Sequence, residues 1–350
     1  MKNLLSIPLF IFAVGLFLSS CSGEDKLINE YQASYSFIFS SAANSLQKID
    51  SDSETIVNIT PENLTFDSVS IIKKFREHYY LLAPKDKKII VLAEKTFQLI
   101  AEIDYSTLNL EPTDICFPNA TDAYVTHSND SCITILDLTN NKISGIKIKV
   151  DGNPVGIAGS GNQVHTAIPN SNQVAIIDTR TNKVEATISI SDVPTYIDFT
   201  EDGLKSVVVS VGNGKTESTS GTKSPAKITV IDVIKENIFS EFQLGNNNDA
   251  SLNIKPTSII VSSRFAYISS INLANTANNT VWRVPATTFR SAINMSRTNS
   301  SFIGYSKSKN VVYFVENTET KQQLLLLDGT SNSRIKILDL PNLPTAILME

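Results

Sequence analysis

Histidine is the residue where metal or acid–base chemistry would be sought first, and this chain has three: His78, His127 and His165. A metal site of His/Cys type needs three or four convergent ligands. His127 closes one β-branched, apolar segment (Ala123-Tyr124-Val125-Thr126-His127), whereas His165 opens another (His165-Thr166-Ala167-Ile168). The two therefore fall at opposite ends of aligned segments and are not expected to meet. The sequence carries no Cys-x-x-Cys-His haem anchor, no Gly-x-Ser-x-Gly nucleophile turn and no phosphate loop. Gly156-Ile157-Ala158-Gly159-Ser160-Gly161 is glycine-rich, but no helix follows it to complete a phosphate cradle. Asp137, Asp178, Asp232 and Asp328 each end a similar apolar segment. Recurrence of that kind predicts carboxylates that cap turn amides, not catalysts. Cys116 and Cys132 fall on non-neighbouring strands of one unit, beyond disulfide reach. From these residues the expectation is no catalytic residue, no metal, no cofactor and no enzyme activity.

The elements that position these residues repeat. Pro-x-x-Ile recurs at Pro112/Ile115, Pro154/Ile157, Pro194/Ile197, Pro256/Ile259 and Pro344/Ile347. The steps are 154 − 112 = 42, 194 − 154 = 40, 256 − 194 = 62 and 344 − 256 = 88. The last is two units, with Ser300/Ile303 in the middle slot, and the third is one unit plus an insertion. A period near 40 built from short strands means a ring or stack of small sheets. The unit beginning at Thr113 reads as four strands: Thr113–Phe117, Ala123–His127, Ile133–Asp137 and Ile143–Val150, separated by turn residues such as Asn140-Asn141. Its second strand returns as Phe37–Ser40, Tyr80–Ala83, His165–Ile168, Tyr267–Ser270 and Tyr313–Glu316.

Those second strands, Tyr124-Val125-Thr126-His127 above all, resemble the YVTN-type β-propeller repeat over nearly the whole chain past residue 34. The expected fold is all-β, a seven-bladed β-propeller. Six units start near residues 65, 112, 154, 194, 256 and 300, leaving a lone first strand at Pro344–Glu350 and strands without a first partner between about residues 35 and 60. Together these make a seventh blade, shared between the N- and C-termini, that removes the open sheet edges. Residues 35–350 are thus read as one propeller domain.

Residues 1–20 read as a signal peptide, with Lys2 ahead of an apolar run from Leu4 to Leu18. The ending Leu18-Ser19-Ser20-Cys21 resembles the bacterial lipobox, which implies cleavage before Cys21 and acylation there. Residues 21–34 would then be the acylated cysteine and its tether, holding the propeller at the outer membrane, facing the periplasm or the cell surface. A formal net charge of −5 and ordinary apolar content point away from nucleic acid.

Loops after second strands and before first strands should gather on one face of the ring, where propellers bind ligands by resemblance. The candidates there are His127, Asn129, Asp130, Asn170, Asn172, Lys215, Asn275, Trp282, Glu316 and Asn317. Lys215 belongs to a polar insertion (Asn213–Ser224) and Asn275 to an Asn-rich loop (Asn272–Asn279), expected side by side. The reading is a monomeric, non-enzymatic lipoprotein that binds a small molecule or an envelope protein. The resemblance includes surface propellers that capture corrinoids. It also includes lactonases and cofactor-dependent oxidoreductases, a second reading, and an envelope scaffold is a third.

Overall fold

The computed structural model describes residues 35–213, 224–245, 253–273, 280–295, 300–317 and 321–349. Seven four-stranded antiparallel sheets form the blades of a β-propeller. Blade 1 begins with the strand Ile71–Phe75, blade 2 with Asp114–Cys116, blade 3 with Ile157–Ser160, blade 4 with Pro194–Phe199, blade 5 with Ile254–Val261 and blade 6 with Ser300–Ser306. Blade 7 takes its first strand, Ala346–Met349, from one end of the chain and the other three from residues 36–58. The closure is in register: Phe37 pairs Met349, Ile38 pairs Leu348, Phe39 pairs Ile347 and Ser40 pairs Ala346. The seven-blade count and the shared closing blade expected from the repeat are therefore both present.

Burial follows position within the blade. Second and third strands are covered on both faces by neighbouring blades, so they are continuously apolar: Tyr79–Ala83 and Ile89–Leu92 are fully buried. Fourth strands face water on one side and alternate, as in Lys183–Ser189.

Two local devices recur. The first is the turn leaving the third strand. Asp137 Oδ1 accepts the amide of Thr139 (2.8 Å), Asp178 Oδ1 that of Arg180 (2.8 Å), Asp232 Oδ1 that of Lys235 (3.0 Å) and Asp328 Oδ1 that of Ser331 (2.7 Å). Four residues after each aspartate the chain turns left-handed, at Asn141, Asn182, Glu236 and Asn332. The turn role predicted for these aspartates is what the structure shows. The second device ties a blade to the next at four of the junctions. Second-strand Tyr124 donates its hydroxyl to Asn182 Oδ1 in blade 3, and Tyr267 donates to Asn332 Oδ1 in blade 6 at 2.8 Å. His165 occupies the same place and bonds Ser206 Oγ in blade 4 at 2.9 Å. Tyr313 instead accepts the amide of Met349 in the closing strand at 3.3 Å. In this molecule the second-strand tyrosines and His165 serve as inter-blade ties.

Candidate functional site

The first strands of all blades run in one direction round the central axis. Six of them, all but that of blade 7, line a cavity of about 770 Å³. Near its opening the wall is polar: Ser70, Thr113, Thr257 and Ser258. Farther along the strands it is aromatic: Phe75 stacks on Phe117 with centroids 4.7 Å apart, and Phe199 closes the adjoining side. A pocket with an apolar body and a few convergent polar groups is the usual form of a small-molecule site.

Three charged side chains line it: Lys73, Asp114 and Asp198, from blades 1, 2 and 4. Lys73 lies in an otherwise alternating strand, Ile71-Ile72-Lys73-Lys74-Phe75, whose inward phase turns it to the axis. Its ammonium donates to Asp114 Oδ1 (2.7 Å) and to the carbonyl of Ile115 (2.6 Å), which leaves one of its three protons for the cavity. Asp114 also accepts the amides of Ile115 (2.7 Å) and Ile157 (3.2 Å) and so bridges blades 2 and 3. Asp198 does the same between blades 4 and 5, accepting Phe199 (2.8 Å) and Val261 (2.8 Å), but among the described residues no side-chain cation contacts it.

That difference in partners separates the two carboxylates electrically. Removal from bulk water pushes Asp198 up to about 6, against the opposing pull of the two amides and of Lys73. Lys73 is drawn down by burial, but Asp114 more than offsets this and the ammonium is held above its usual value. Cys116, buried in the same wall, is pushed upward by burial and stays a thiol. It and Cys132 are unpaired. A carboxyl near 6 beside a firmly cationic lysine can exchange protons near neutrality while a positive charge stands ready for a developing anion.

Of the ten residues singled out from the loops, His127, Asn129, Asp130, Asn170, Asn172, Trp282 and Glu316 do not line this cavity. His127 is fully buried against Tyr105, with Nε2 at 2.9 Å from Thr134 Oγ1 and Nδ1 at 3.1 Å from the Glu111 carbonyl. Asn129 is exposed and donates to Glu111 Oε2 (3.0 Å), beside exposed Asp130. Asn170 is exposed in the turn Pro169–Ser171. Asn172 is left-handed, and its Oδ1 accepts the amide of Val193 (2.8 Å). Trp282 is packed between blades, its Nε1 donating to Ser270 Oγ (2.9 Å). Glu316 is half-buried on the second strand of blade 6, where Asn317 ends the same strand. Lys215 and Asn275, with most of the two long loops, lie outside the described residues. Among the described residues no group of three His, Cys, Asp or Glu side chains could hold a metal ion.

The sequence matches no established protein family and no curated protein. Solved structures share the fold. A candidate 6-phosphogluconolactonase from Bacteroides uniformis superposes with a TM-score of 0.68 at 9% identity, over 91% of this chain and 100% of that one. A second, from Bacteroides fragilis, gives 0.66 at 10% identity over 91% and 98%. Hydrazine synthase of Kuenenia stuttgartiensis gives 0.61 at 13% identity over 75% and 76%.

The non-enzymatic reading is thereby corrected. The fold found along most of this chain is one that candidate lactone hydrolases adopt end to end. That reading looked for chemistry in loop motifs and did not weigh the charged groups of the inner strands. The charged groups of this propeller sit on inner strands, where no local motif announces them. The available signal was a charge inside an apolar first strand: Lys73, Asp114 beside Ile115, and Asp198 beside Ile197.

Proposed function

We propose that this propeller is a hydrolase for a small lactone or carboxylic ester, with the central cavity as its active site. The observation that carries the reading is the pairing, in one cavity, of a lysine locked by Asp114 with a carboxyl raised to about 6 that forms no ion pair among the described residues. In the reaction, Asp198 removes a proton from a water molecule as the water oxygen adds to the acyl carbon. The remaining Lys73 proton faces the carbonyl oxygen, which takes up negative charge. The acyl–oxygen bond then breaks, and Asp198 returns the proton to the departing alkoxide. One water is consumed, and a hydroxy acid or an acid and alcohol result. The aromatic floor receives the apolar side of the substrate, and the hydroxyl-lined opening its polar side. The fold shared with candidate lactonases supports this reading and does not extend to their substrate. The sequence ending Leu18-Ser19-Ser20-Cys21 supports a lipoprotein form, carried at the bacterial outer membrane by acyl chains on Cys21.

The test is a titrimetric assay of the purified chain on a panel of lactones and esters from pH 4 to 9. Turnover is expected to fall on the acid side with an inflection near pH 6, where Asp198 protonates. Asp198→Asn is expected to lower kcat by roughly 100-fold or more. Failure to turn over any member of the panel, or full activity in Asp198→Asn, overturns the proposal.

A further inference from the structure

The two sides of the charge account in this cavity do not balance. Among the described residues, Lys73, Asp114 and Asp198 are its only ionisable side chains of the lysine, arginine, histidine or carboxylate type. Asp114 already neutralises Lys73 at 2.7 Å, so above about pH 6 the cavity holds one uncompensated negative charge, that of Asp198. Among the described residues the approach is mixed, with exposed Lys255 immediately before Pro256 at the start of blade 5 and acidic residues in three other blades. The segments leading into the first strands of blades 2, 3 and 4 carry Glu111, Asp151 and Asp192, immediately or within three residues before Pro112, Pro154 and Pro194. Glu111 takes a neutral amide from Asn129, and Asn172 contacts Asp192 at 3.5 Å; among the described residues neither has a lysine or arginine ion pair. The net charge of the cavity wall, set in a low dielectric, acts on whatever enters.

We infer that the cavity admits uncharged or cationic substrates and excludes phosphorylated ones. The inference rests on the cavity being the site proposed above. It separates this chain from the phosphorylated substrate that the names of its two Bacteroides structural neighbours imply for them. Among the described residues that line the cavity, the one cation a dianionic phosphate would find is Lys73, already neutralised by Asp114, and bringing it beside Asp198 sets like charges together. At the effective dielectric of such sites, each added negative charge should weaken binding by roughly tenfold or more. A neutral polyol ester loses nothing and gains the hydroxyls of Ser70, Thr113, Thr257 and Ser258.

The sign of the field can be read without knowing the substrate. Ser70 is exposed at the cavity opening. In a Ser70→Cys variant of the full chain, the new thiol is titrated with two methanethiosulfonates of similar size, one bearing an ammonium and one a sulfonate. The parent protein supplies the background rate. The ammonium reagent is expected to react at least tenfold faster at pH 7.5, after correction for the ratio seen with a free thiol. Adding Asp198→Asn should reduce that preference. A ratio of one, or a preference for the sulfonate, overturns the inference. In parallel, the hydrolysis panel is run with neutral, ammonium-bearing and phosphate-bearing esters of the same ring. Fastest turnover of the phosphate ester sinks the inference and leaves the hydrolase reading intact. No turnover at all, with the ammonium preference retained, sinks the hydrolase reading and leaves the inference standing.

Discussion

Two buried histidines and one buried aspartate give this protein opposing pH dependences. Burial pulls His127 and His165 down to about 4. Each is neutral in the fold but takes a proton near pH 6.5 once unfolded, so their contribution to stability is present above 6.5 and lost as pH falls toward 4. Asp198 is raised, so its sign is reversed: the fold favours the protonated carboxyl, and stability from this group is lost as pH rises from about 4 to 6. Each effect is on the order of 3 kcal/mol at full extent. Two histidines outweigh one aspartate, and the wild-type melting temperature should drop on going from pH 7 to 4.5. His165→Gln should flatten that drop and Asp198→Asn should steepen it, as followed by circular dichroism in matched buffers. If both variants kept the wild-type slope, the burial assigned to these groups would be wrong. None of this was legible in the sequence. Asp114 and Asp198 stand 198 − 114 = 84 residues apart and reach one cavity only because the ring turns the same edge of every blade to the axis. His165 and Tyr124, by contrast, were aligned correctly from sequence as equivalent strand positions. What the alignment lacked was the neighbouring blade, where Ser206 and Asn182 wait for them.

At the scale of the strand, the pattern was readable because it is local. Turn aspartates, left-handed asparagines and β-branched runs each declare themselves within a few residues, and three of the four third-to-fourth-strand turns discussed above carry the asparagine, with Glu236 in its place in the other. Packing between blades obeys no such short code. Gly304 shows the difference. A methyl placed there would lie 2.0 Å from the ring of Tyr313, which fills the space the glycine leaves open. Tyr313 is buried, packs edge-on against Phe37 with centroids 5.2 Å apart, and accepts the Met349 amide. Gly304→Ala must therefore displace the tyrosine that anchors blade 6 to blade 7. The expected loss is about 1–3 kcal/mol in urea unfolding. Tyr267→Phe, which removes only a hydroxyl from the equivalent bond to Asn332, should cost nearer 1 kcal/mol. The ordering of the two is the check: if the tyrosine variant proved the more damaging, close packing would not be what fixes the blade junction.

For the molecule as a whole, the closing strand decides whether the first-strand cavity exists. Each blade buries its second and third strands only against neighbours, so one open joint exposes two apolar faces and a row of unpaired backbone groups along Ser36–Ala42. Residues 346–349 contribute little mass, yet Ala346 and Met349 are buried in two different inter-blade clusters, one with blade 1 and one with blade 6. Their strand also holds the Tyr313 hydroxyl, and Thr345 donates to the carbonyl of Ser40 through both its amide (2.6 Å) and its hydroxyl (3.1 Å). Deleting residues 344–350 should thus do more than fray an end. It should lower the melting temperature by roughly 10 °C or more. It should also convert the monomer expected of the intact ring into oligomers that pair through the freed edge, visible by light scattering after size exclusion. Activity should fall with it, because blade 1, which carries Lys73, would lose the neighbour that fixes its distance from blades 2 and 4. Adding back a synthetic peptide of residues 344–350 should restore both the monomer and the melting temperature. A truncated protein that stayed monomeric and stable would mean that the ring is held shut by inter-blade contacts alone and that the shared blade is dispensable.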